Sequence, residues 1–84
     1  MQKINEKIGN TNICYSVPND FKMGETYTLD MILTDKKGER IQATVNLPKG
    51  WNELDLKNIV ITSLFQLDNE CIDVEVTFKK RILN

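Results

Sequence analysis

The stretch from Thr26 to Leu47 constrains this chain more than any other, because its turn chemistry and its hydrophobic alternation demand the same strand pairing. Asp35-Lys36-Lys37-Gly38 has the D-x-x-G form of a type I turn closed by a left-handed glycine, the pattern of a hairpin with a Gly bulge. Closing Asp35 against Glu39 and counting outward by two sets Leu33 opposite Ile41, Met31 opposite Ala43, Leu29 opposite Val45 and Tyr27 opposite Leu47. All of these are apolar, while the intervening Asp30/Thr44 and Thr28/Asn46 pairs are polar. A slip of one residue would break this match on both strands, so the register is specified twice over. The sequence predicts a hairpin with strands near 25–34 and 39–47.

The other elements follow from local signals. Ile13, Tyr15 and Val17 alternate with Asn12, Cys14 and Ser16 and predict a short strand that ends at the turn cluster Pro18-Asn19-Asp20. No local signal names its partner. Met1, Ile4 and Ile8 recur at helical spacing and predict a short helix with Gly9 just past its end; a two-residue hairpin turn at Gly9-Asn10 is the competing reading. Pro48-Lys49-Gly50 stops the second hairpin strand. Asn52 then reads as a helix N-cap answered by Asp55, with Trp51 and Leu56 placed as a hydrophobic staple. A helix over about 53–67 follows, against the β-branched run Ile59 to Thr62. Beyond it Ile72, Val74, Val76 and Phe78 alternate strictly with charged and polar residues, the mark of a strand buried on one face.

The expected fold is therefore α+β, in the order β-ββ-α-β: a small, mostly antiparallel sheet of three or four strands with one long helix on one face. Residues 1–84 read as one domain, of a size at which a single core supplies only about 3–5 kcal/mol. The helix returns the chain across the sheet, so the second hairpin strand and the last strand should run parallel, with the first hairpin strand between them. This places the basic tip, Lys36, Lys37 and Arg40, near Asp68, Glu70 and Asp73, and puts Lys79, Lys80 and Arg81 at the opposite end.

Composition excludes several classes. Eleven basic and 12 acidic residues leave a net charge of −1, which fits neither a strongly basic nucleic-acid clamp nor a polyanionic mimic. The first residues carry no apolar run of signal-peptide length, and no stretch approaches the roughly 18 apolar residues of a membrane span. A cytoplasmic location is the expectation. Asn, Lys and Ile are abundant, a usage found in AT-rich genomes such as those of low-GC bacteria and their phages. With no histidine, triad chemistry and the usual neutral-pH proton shuttle are missing. Cys14 and Cys71 are too few and too far apart for a zinc motif and read as reduced structural thiols. Asp73 and Glu75 share one side of a strand, but two carboxylates are too few for a hard cation and read as a solvated face. No glycine pattern cradles phosphates. The expectation is a non-enzymatic protein with no cofactor and no metal.

Two candidate surfaces remain. On the helix, Leu56, Ile59, Val60, Ser63, Leu64 and Leu67 form the face that covers the sheet. Leu54, Ile61 and Phe65, with Asn58 among them, form a second stripe that a surface helix on a two-layer domain should not have. Either the N-terminal segment covers it, through Met1, Ile4, Ile8, Phe21 or Met23, or it is a protein-binding or self-association surface with Trp51 as its anchor. The leading functional expectation is a small binding module, of the kind a phage or mobile element uses to occlude a host protein. The alternative is a nucleic-acid-binding accessory protein using Lys36, Lys37, Arg40, Lys79, Lys80 and Arg81. The outward positions of the hairpin carry no aromatic ring, so that alternative rests on phosphate contacts rather than base stacking.

Overall fold

The hairpin forms in the expected register: Leu33 faces Ile41, Met31 faces Ala43, Leu29 faces Val45 and Tyr27 faces Leu47. The computed structural model describes residues 1–81. Its strands are β1 (Gln2–Ile8), β2 (Thr11–Val17), β3 (Tyr27–Asp35), β4 (Arg40–Leu47) and β5 (Cys71–Lys80), and its helix is α1 (Glu53–Leu64). Gly38 closes the β3–β4 turn at φ 84°, and Asp35 holds it from inside. Its carboxylate Oδ1 accepts from the amides of Lys37 and Glu39, each at 2.9 Å, while its own amide donates to the Glu39 carbonyl at 3.0 Å.

The strands make one five-stranded mixed sheet in the order β1-β2-β5-β3-β4. The class is α+β as expected, but the sheet has five strands rather than three or four, because the N-terminal segment adds β1 at its edge, and one of its four pairs, β2–β5, is parallel. β5 lies antiparallel to β3 and parallel to β2, so β4 and β5 run the same way with β3 between them.

The N-terminal segment is a strand rather than a short helix. Ile8 pairs with Thr11 across Gly9-Asn10, and only Gly9 of the turn has a positive φ, 58°, as a type II′ hairpin requires. Met1, Ile4 and Ile8 satisfy a helical spacing, but Ile4, Glu6 and Ile8 also satisfy a period of two, and pairing with β2 satisfies the backbone groups of the whole segment. Lys3 and Lys7 on this edge are the charges that discourage further strand addition.

The helix begins where the capping signal places it. Asn52 Oδ1 accepts from the Asp55 amide, and Asp55 Oδ2 accepts from the Asn52 amide, both at 2.9 Å. It ends at Leu64, short of the expected residue 67. Phe65, Gln66 and Leu67 instead continue through tighter bonds to the carbonyls three residues back.

One face of the sheet packs against α1. Leu29, Met31 and Leu33 of β3, Val74, Val76 and Phe78 of β5, and Ile13, Tyr15 and Val17 of β2 are all buried there with Val60 of the helix. Leu56, Ile59, Leu64 and Leu67 pack partly buried against this core, as the first helix face predicts. Five strands spaced about 4.8 Å apart span about 19 Å, whereas a helix is about 10 Å across. A single helix cannot cover them all. β1 therefore lies beyond it, with Ile4 half-exposed on the helix side of the sheet.

Candidate functional site

The solvent-facing flank of α1 carries the second stripe as an exposed surface. Phe65 is 83% exposed and Leu54 is 65% exposed, with Asn58 also exposed and Ile61 half-buried between them. The N-terminal segment does not cover them, because it is spent on the sheet edge, and Met1, Ile4 and Met23 are themselves exposed. Phe21 is turned inward instead, stacked on Tyr27 with ring centroids 5.4 Å apart. Glu53 and Asp55 flank the stripe at its start, and exposed Asp68 and Glu70 follow its end.

Trp51 is a correction to the expected anchor. It is 2% exposed, packed near Phe21 and Phe78, and its Nε1–H donates to the Glu25 carbonyl at 2.6 Å. A residue at the N′ position is drawn inward by the staple with the helix, so the indole serves the core and not the surface.

The basic residues separate into two groups, as the connectivity requires. Lys36, Lys37 and Arg40 are exposed at the β3–β4 tip, where the Lys36 amide donates to the Glu70 carbonyl at 2.9 Å and Thr34 pairs with Asp73. Lys79 and Lys80 lie at the far end, beside Thr28 and Tyr27. Seven strand residues, about 23 Å, separate the groups. Lys79 Nζ is 2.7 Å from Asp30, and Lys80 pairs with Asp20. These contacts hold the Asp30 and Asp20 carboxyls below the usual carboxylate range and raise Lys80. Arg81 is half-buried at the same end.

The cysteines lie on opposite faces of the sheet, Cys71 on the buried face and Cys14 on the open one, and both are free thiols. Burial pushes the Cys71 thiol up. Among the described residues no three histidine, cysteine or carboxylate side chains gather as a metal site, and no helix is long and apolar enough to cross a membrane.

A second feature lies between α1 and the first hairpin, where the helix fails to reach β1. It is a groove of about 280 Å³ with Val17, Phe21, Trp51, Leu56 and Phe78 along it, Ile4 and Met23 at its mouth, and Glu6, Glu53 and Lys57 on its rim. Lys57 Nζ is 3.6 Å from both Glu6 and Glu53, tying the helix to the edge strand. Tyr15 belongs to the same groove. Its hydroxyl is buried beside the Glu6 carboxylate, close enough to it to raise the phenol's pKa though not in full hydrogen-bond geometry. Burial, and then the negative charge of Glu6, pushes its pKa up to about 12. Alternation in 12–17 already turns Tyr15 inward. The groove was not legible because β1, which supplies Ile4 and Glu6, reads equally well as a helix.

The chain matches no family model, no curated protein and no solved structure. Its functional reading rests on its own geometry.

Proposed function

We propose that this protein is a small non-enzymatic binding module that docks the Leu54–Ile61–Phe65 flank of α1 into an apolar groove on a partner protein and so occludes that surface. The supporting observation is the exposure of Phe65, 83%, on a flank that no other part of the described chain covers. Apolar residues at i, i+7 and i+11 are the spacing by which an amphipathic helix anchors in a groove. Acidic residues at both ends of the stripe favour a partner groove rimmed by lysine or arginine.

That charge pattern disfavours a second copy of this chain as the occupant. In an antiparallel α1–α1 contact, Glu53 and Asp55 of one copy would face Asp68 and Glu70 of the other at both ends. The nucleic-acid reading has weaker support, since Lys79 and Lys80 are each paired with an aspartate and lie about 23 Å from the hairpin tip.

The test is the double variant Leu54→Asp/Phe65→Asp. Both side chains are exposed, so its urea midpoint should match wild type. A partner captured by the wild-type chain, then purified, should bind the variant at least tenfold more weakly. Equal binding of the two forms would overturn the reading. A concentration-dependent dimer of the wild type that the variant abolishes would instead make the occupant a second copy.

A further inference from the structure

We propose that the free edge of β4 is a dimer interface, at which a second copy of this chain adds its own β4 antiparallel and continues the sheet through both molecules. The inference is independent of the docking flank, because Leu54, Ile61 and Phe65 lie outside β4.

The two edges of the sheet are β1 and β4, and they differ in how they are guarded. An edge strand offers a row of unpaired N–H and C=O groups, which proteins protect with lysine, proline, a bulge or short length. β1 carries Lys3 and Lys7. β4 has none of these devices: it runs from Arg40 to Leu47 without lysine, proline or glycine, and its ladder with β3 has no register shift. The outward groups can be named. Because the Asp35 amide donates to the Glu39 carbonyl, alternation along the ladder turns the amides and carbonyls of Ile41, Ala43, Val45 and Leu47 toward β3. Those of Arg40, Gln42, Thr44 and Asn46 face away from it, along the free edge.

The occupant follows from self-complementarity. A two-fold axis through Ala43, perpendicular to the sheet, sets Arg40 opposite Asn46 and Gln42 opposite Thr44 of the second copy, and every outward group is then paired. Moved by one residue either way, the axis puts Arg40 opposite Pro48, which has no N–H, or Asn46 opposite Gly38 in the turn. On the helix side of the sheet Ile41 meets Val45 of the second copy, and Ala43 meets its own equivalent. Ile41 is 41% exposed and Ala43 and Val45 are half-buried, so this row gains both burial and cross-strand packing. The one charge within β4, Arg40, faces an uncharged asparagine. Because α1 leaves β4 partly open, both β4 strands lie between the two helices, and the acidic α1–α1 contact does not form. β1, guarded by its lysines, takes no further strand, so assembly stops at two.

Sedimentation equilibrium of the full chain from micromolar to millimolar concentration should show a monomer–dimer equilibrium. Amide exchange at Gln42, Thr44 and Asn46 should slow as the dimer fills, while Ala43 and Val45, already bonded to β3, change less. Thr44→Pro removes an outward N–H and sets a ring against the incoming strand without breaking a bond to β3, so it should keep the fold and weaken dimerisation at least about tenfold. Two charge variants decide the matter if the proline form does not fold. Gln42→Lys/Thr44→Lys sets lysine opposite lysine on both sides of the axis and should weaken the dimer by a similar factor, whereas Gln42→Glu/Thr44→Lys sets glutamate opposite lysine and should keep it. A chain that stays monomeric at millimolar concentration would overturn the proposal and leave the edge to a strand of another protein. Equal weakening by the two charge variants would overturn it as well. So would a dimer that Leu54→Asp/Phe65→Asp abolishes, since that contact would lie on α1 and not on β4.

Discussion

Trp51 donates its indole N–H to the carbonyl of Glu25 at 2.6 Å, joining the residue that enters the helix to the loop that enters the central hairpin. A second bond runs beside it, from the Gly50 amide to the Gly24 carbonyl, also at 2.6 Å. Two connections far apart in sequence are thus held together at the end of the sheet where Phe21, Tyr27 and Phe78 cluster. The position of the helix over the sheet depends on this contact.

Trp51→Ala should cost about 3–5 kcal/mol, the loss for a buried tryptophan, which equals what a core of this size supplies. The variant is expected to lose cooperative unfolding. Trp51→Phe keeps a ring in the cluster and loses the hydrogen bond and part of the volume, so a loss of about 1–2 kcal/mol is expected. Urea unfolding followed by far-ultraviolet circular dichroism measures both without relying on tryptophan emission. A Trp51→Ala protein as stable as wild type would show that the indole does not hold the helix.

Asp35 should control the central hairpin through its side chain. It is 2% exposed, and besides the two turn amides its Oδ2 accepts from Asn69 Nδ2 at 3.4 Å, so it also ties the turn to the loop before β5. Asp35→Ala strips three donors of their acceptor and should cost about 1–3 kcal/mol. Asp35→Asn keeps one accepting oxygen for the turn and should cost less. Amide exchange at Lys37 and Glu39 should quicken in the order wild type, Asn, Ala. Unchanged exchange in the alanine variant would show that Gly38 alone closes the turn.

The contrast between the two hairpins explains what the sequence makes legible. The β3–β4 register follows from residues 26–47 alone, since Asp35 and Gly38 set the turn and four apolar positions on each side permit one pairing. In β1 the signal is divided. Its helix-side positions are Gln2, Ile4, Glu6 and Ile8, half of them polar, because the helix does not cover that strand and burial does not demand alternation. The neighbour of β2 was hidden for another reason. A parallel pair such as Ile13/Val74 joins strands about sixty positions apart with no turn between them to set the register, and only assembly of the sheet chooses it.

The candidate surfaces divide in the same way. The Leu54–Phe65 stripe comes from helical periodicity, which is local, and it lies on solvent. Whether Trp51 lay on that surface or beneath it depended on the loop around Glu25, which periodicity does not describe.

Tyr15 should make stability fall at high pH. Its pKa is raised from the ordinary value of 10.0 to about 12 in the folded chain, by burial first and by Glu6 second. Below pH 10 the phenol is protonated in both folded and unfolded chains and contributes no slope. Between pH 10 and about 12 the unfolded chain releases this proton while the folded chain keeps it, so stability declines as pH rises and the decline is complete above the folded pKa. The limit for one group is about 1.4 kcal/mol per pH unit, and screening at the open groove reduces it to the order of 1 kcal/mol. Tyr15→Phe has no such proton to lose. Urea midpoints of the two proteins at pH 8, 10 and 11 should run parallel up to pH 10 and then shift in favour of the variant. Parallel curves through pH 11 would place the Tyr15 hydroxyl in contact with bulk water.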